Sequence, residues 1–153
     1  MSYLGAAGPY LKLLNDAEEH YGIPTNLLVR IAYQESSFRP DVISGLVRSS
    51  AGCVGIMQLN PMYFPNAGKS TALDISNAAQ LLANLHARFR DWQLAVAAYN
   101  WGGGDLHHAI AVDGGVTLDD LPAETAAYVR AIFTDVPITG VLMPVVSGAT
   151  EFA

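Results

Sequence analysis

Apolar side chains recur every three or four residues along most of this chain, the spacing of one face of an α-helix, and strand-like alternation is nearly absent. Pro9 is suited to open a first helix, on which Tyr10, Leu14, Ala17 and Tyr21 share a face and which Gly22 ends. Pro24 and Thr25 open a second helix carrying Leu27, Leu28, Ile31 and Ala32, and Pro40 requires it to have stopped. Residues 39–55 are rich in Ser and Gly and read as a long active-site loop or a small β-hairpin. A short helix is expected over residues 56–60, stopped by Pro61, with irregular chain to Thr71. A third long helix is expected over residues 75–89, with Ala78, Ala79, Leu82, Leu85 and Phe89 as its apolar stripe. Asp91 caps a fourth over residues 92–101, whose Ala95, Ala97 and Ala98 suit a closely packed central helix, and Gly102, Gly103 and Gly104 end it. A short helical piece follows Asp105. Pro122 opens a last helix with Tyr128, Val129, Ile132 and Phe133 inward. The fold expected is therefore mainly α. It forms one domain over residues 1–135, and an apolar tail interrupted by proline and glycine covers 136–153.

Position 35 belongs to the apolar stripe of the second helix, with Leu28, Ile31 and Ala32, yet it holds Glu35. A carboxyl facing apolar neighbours loses solvation, which favours its neutral form, and a neutral carboxyl near pH 7 is what a general acid needs. The plainer alternative is a helix-terminal glutamate paired with Arg30 or Arg39.

Composition narrows the choice. The chain has 153 residues, 51% hydrophobic and only 14% charged, enough for a packed core and unlike a disordered segment. A net charge of -6 with no basic cluster argues against nucleic acid as a partner. It also gives no steering toward an acidic polymer. Cys53 is the sole cysteine, so no internal disulfide is possible, and the four histidines sit at no metal-binding spacing. No cofactor or metal is expected. No run approaches the ~20 apolar residues of a membrane span. The opening MSYLGAAGPYLKLL has no basic start and no continuous apolar stretch, so no signal peptide is expected.

Four segments carry a more specific signal. Glu35-Ser36-Ser37-Phe38 closes the second helix, and Gly55-Ile56-Met57-Gln58-Leu59 follows a Ser-Ala-Gly run. Ala97-Ala98-Tyr99-Asn100-Trp101-Gly102 closes the fourth helix, and Pro122-Ala123-Glu124-Thr125 with Tyr128-Val129 opens the last. In this order they resemble the catalytic domain of the soluble lytic transglycosylases, which share their fold with goose-type lysozyme. The resemblance covers residues 9–133 and implies a lysozyme-like helical domain. It implies cleavage of the β-1,4 bond between N-acetylmuramic acid and N-acetylglucosamine in bacterial peptidoglycan, leaving 1,6-anhydromuramoyl ends. It places the catalytic acid at Glu35, substrate contacts at Ser37, Met57, Gln58, Tyr99 and Asn100, and supporting roles at Glu124 and Tyr128. Trp101, Gly103, Ala126 and Cys53 depart from the family's usual residues.

A single-acid reaction suits the residues, because no Asp or Glu lies between Asp41 and Asp74. Glycosidases that use water ordinarily need two carboxylates, whereas an internal hydroxyl is already held at high effective concentration. Asp74, Asp105 and Asp113 stay open as second acids, and with them a lysozyme-type hydrolysis. A wall-binding or phage-tail module without catalysis is the other alternative. Bland roles stay open too: Gln58 as a helix cap, Tyr99 as core, Asn100 as a turn residue, and Glu124 as a charge suited to its helix N-terminus. The expected setting is a monomer made in the cytoplasm and brought to the wall by a phage pore or virion.

Overall fold

The structure, a computed structural model, describes residues 3–114 and 116–134; the tail expected over 136–153 lies outside them. Eight α-helices are present among the described residues: α1 Tyr3–Ala7, α2 Leu11–Tyr21, α3 Leu27–Ser36, α4 Pro40–Ile43, α5 Thr71–Phe89, α6 Trp92–Trp101, α7 Gly103–Asp113 and α8 Ala123–Ile132. The chain divides into two compact units, Met1–Gln80 and Leu81–Ala153, with the boundary inside α5.

In the first unit, helical chain begins at Tyr3 rather than Pro9. Gly8, at φ +45°, and Pro9 turn α1 through a single 3-10 turn into α2. Gly22 closes α2 in the left-handed region, at φ +70°. α3 packs against both α1 and α2, burying Leu27, Leu28, Val29, Ile31 and Ala32. The loop after α3 is not continuous, since Pro40 starts the four-residue helix α4. The helix expected over residues 56–60 is absent. In its place is a tight turn closed by an antiparallel bridge between Val54 and Leu59, whose backbones exchange N–H···O bonds of 3.0 and 3.1 Å. The run Ile56, Met57 and Leu59 is buried, as a helix would have buried it, so an apolar run alone does not separate the two outcomes. The small β element thus straddles the end of residues 39–55, pairing Val54 with Leu59 beyond it. α5 starts four residues before its expected position, at Thr71.

In the second unit, α6 packs against both α7 and α8, with five consecutive residues, Leu94 to Ala98, buried. Its first turn is capped as expected, Asp91 Oδ1 accepting from Leu94 N–H at 2.9 Å. Only Gly102 breaks the helix, at φ +109°; Gly103 and Gly104 enter α7, an 11-residue helix where a short piece was expected. Gly103 lies against Leu85 and Arg88, where an added Cβ would come within 2.8 Å of Arg88 Nη1. His86 stacks on Trp92 with ring centroids 3.7 Å apart.

Candidate active site

Glu35 is the penultimate residue of α3 and is half-buried. The helix ends one residue later for a local reason. Ser36 is 3% exposed; its hydroxyl donates to Ala32 O at 3.0 Å and accepts from Phe38 N–H at 3.2 Å. Ser37 and Phe38 then both adopt left-handed backbone, at φ +51° and +56°, which non-glycine residues rarely do. Phe38 is buried beside Tyr10 and Tyr33, with ring centroids at 6.1 and 6.2 Å. This packing holds the strained turn and fixes where Glu35 sits. Ser37 is exposed. Of the two arginines near Glu35 in sequence, Arg39 is engaged with Asp41 at 2.7 Å, and Arg30 donates to the Tyr3 hydroxyl at 2.8 Å.

The start of α3 is set by a residue the sequence did not mark. Glu18 is 2% exposed. Its Oε1 accepts from Asn26 N–H at 2.9 Å and Asn15 Nδ2 at 2.7 Å, and its Oε2 accepts from Leu28 N–H at 2.8 Å. The carboxylate satisfies donors at the N-terminus of the helix that carries Glu35. The available signal was its place four residues after Leu14 on an apolar face, which is the same signal that singled out Glu35.

Met57 and Gln58 share the turn of residues 54–59. Met57 is fully buried, and half-buried Gln58 sits at φ +51°. The Gln58 side chain folds back, Nε2 donating to Gly55 O at 3.0 Å, which leaves Oε1 as the amide's acceptor. Asp74, one of the candidate second acids, is 1% exposed and accepts from Gly68 N–H at 3.0 and 3.2 Å. Burial raises its pKa, an effect the Gly68 N–H partly opposes.

In the second unit, Tyr99 and Asn100 are both half-buried at the end of α6. Asn100 Oδ1 accepts from the Thr125 hydroxyl at 2.8 Å, so the amide's N–H groups face away from Thr125. Thr125 is 2% exposed, whereas its neighbour Glu124 is exposed in the first turn of α8. The α8 residue that reaches Asn100 is therefore Thr125, which sequence reasoning passed over. Tyr128 is half-buried on the same helix, and Asp105 and Asp113 are exposed on α7. Among the described residues, no group of three or more His, Cys, Asp or Glu could hold a metal ion.

Residues 12–118 match the family described as the transglycosylase SLT domain. The chain belongs to that family. A membrane-bound lytic murein transglycosylase F from Alcanivorax borkumensis is 36% identical over 112 residues, 65% of this chain and 23% of that protein. Its counterpart in Stutzerimonas stutzeri is 32% identical over 112 residues, again 65% of this chain and 22% of the relative. The lytic transglycosylase Slt of Pseudomonas aeruginosa superposes with a TM-score of 0.67 at 21% identity, covering 90% of this chain and 26% of that one. The last likeness shows the fold, the mainly helical lysozyme-like architecture. This SLT domain spans about a quarter of the length of the relatives it matches. Glu35, Met57, Gln58, Tyr99 and Asn100 lie inside the matched segment, and Glu124 and Tyr128 lie beyond it.

Proposed function

We propose that this SLT domain is a peptidoglycan lytic transglycosylase in which Glu35 is the catalytic acid. The observation that carries the reading is the end of α3. Two consecutive non-glycine residues on left-handed backbone, held by Ser36 and the Phe38 aromatic packing, stop the helix directly behind Glu35. Strain of this kind is retained where geometry matters, and here it follows the one acid on the apolar face of α3.

The chemistry then needs one carboxyl. Glu35 gives its proton to the oxygen linking N-acetylmuramic acid to N-acetylglucosamine, and the bond from muramoyl C1 to that oxygen breaks. The muramoyl C6 hydroxyl oxygen bonds to C1, and its proton goes to the Glu35 carboxylate. The acid is regenerated and no water is consumed. Gln58 and Asn100 suit an amide-rich substrate, since their side chains are already oriented by Gly55 O and Thr125. Asp74 is poorly placed to activate water, being buried and bonded to Gly68.

Clearing of purified cell walls tests the reading. The wild-type chain should clear them, and Glu35→Gln should remain folded by circular dichroism with activity reduced at least ~100-fold. Near-normal clearing by that variant would remove Glu35 from the reaction.

A further inference from the structure

We propose that Asp74 is a positioning residue for the turn that carries Met57 and Gln58, a role resting on the transglycosylase reading above. Three segments of the first unit meet at this side chain. Asp74, in the first turn of α5, accepts the Gly68 N–H with both carboxylate oxygens. Gly55, at φ +85°, is packed so tightly on Asp74 Oδ2 that no Cβ fits there, and Gly68 Cα is 3.4 Å from that same position. Gly68 has no room for a side chain either, because Val54 Cγ2 would be 2.7 Å from its Cβ. The carboxyl therefore joins α5, the loop at residue 68 and the turn at residues 54–55.

Gly55 is also where the turn is built. Its carbonyl accepts both the Gln58 N–H, at 3.1 Å, and Gln58 Nε2, at 3.0 Å. Those two bonds set the left-handed backbone of Gln58 and the direction of its amide. A shift of Gly55 away from Asp74 moves both. Burying a carboxyl against backbone with a single N–H partner is a costly way to fill space, and an apolar side chain would do it better. The retained acceptor points to geometry that the turn needs.

Asp74→Ala removes the contact, and Asp74→Asn keeps an oxygen acceptor of the same shape. Two readouts separate positioning from plain stability. The first is hydrogen exchange of the Gln58 and Leu59 amides, with Ile31 in α3 as the internal reference. The second is the steady-state kinetics of wall digestion by folded protein. Asp74→Ala should accelerate exchange in the turn relative to Ile31. It should raise KM by ~10-fold with kcat changed much less, the pattern of lost substrate positioning. Asp74→Asn should restore both. Unchanged turn exchange in Asp74→Ala, or a loosened turn with wild-type KM, would overturn the proposal. A wild-type chain that leaves walls intact would instead overturn the transglycosylase reading, and the proposal with it.

Discussion

Ser37, Phe38 and Gln58 each hold a backbone conformation that costs about 1–3 kcal/mol for a residue with a side chain. All three lie inside the segment that matches the SLT family. The surrounding atoms explain how the strain survives: Ser36 Oγ receives the Phe38 N–H, aromatic rings hold Phe38, and Gly55 O holds Gln58 from two sides. Asp74 carries a different cost. Its pKa is raised in the folded chain, chiefly by desolvation, from an ordinary value near 3.8. The folded state therefore binds a proton more tightly than the unfolded state. Its contribution to stability is fully present below pH 3.8 and is lost as pH rises through the raised folded value. Asp74→Asn should accordingly be more stable than wild type at pH 7, with the gap closing on acidification toward pH 4. Thermal melts across that range check this, and a gap that widened toward acid would mean the carboxylate is stabilised as the anion.

Among the elements, α3 matters most, because both its ends are set by side chains rather than by its own propensity. Glu18 accepts donors at the N-terminus, and Ser36 and Phe38 shape the exit. Glu18→Ala would leave the Asn26 and Leu28 N–H groups without the acceptor they use, while Asn15 keeps its bond to Asn26, and should cost about 2–4 kcal/mol of stability. Chemical denaturation measures it, and a loss under ~0.5 kcal/mol would show that the helix start needs no carboxylate. The elements also show what the sequence made legible. Asp91 and Gly22 mark their helix ends by local chemistry, a capping oxygen and a left-handed glycine, and both act as expected. The residue 54–59 turn was not legible, because Gln58 carries no mark of its left-handed backbone and Ile56, Met57 and Leu59 fit a helix equally well. α7 was obscured by Gly103 and Gly104, which are poor helix formers but are needed or tolerated where α7 begins. Glu18 and Glu35 looked alike, each a carboxyl on an apolar face. Only the structure shows that Glu18 is bonded to backbone N–H groups at the start of α3.

At the scale of the molecule, family membership and the mainly helical fold rest on matches to about two-thirds of the chain or more, while the proposed reaction requires Glu35 to work without a second acid. No helix among the described residues is long and apolar enough to cross a membrane. The absence of acidic residues between Asp41 and Asp74, with Asp74 itself buried, leaves the first unit without an exposed second carboxyl in that stretch. Ring closure by the muramoyl C6 hydroxyl needs none, whereas attack by water ordinarily does. The two outcomes differ in where an oxygen atom comes from. Peptidoglycan digested in heavy-oxygen water and analysed by mass spectrometry should give muramoyl products that lack the label at C1 and are lighter by one water than hydrolysis products. Muramoyl ends carrying the heavy oxygen at C1 would show that the chain hydrolyses this bond and would contradict the single-acid, ring-closing account.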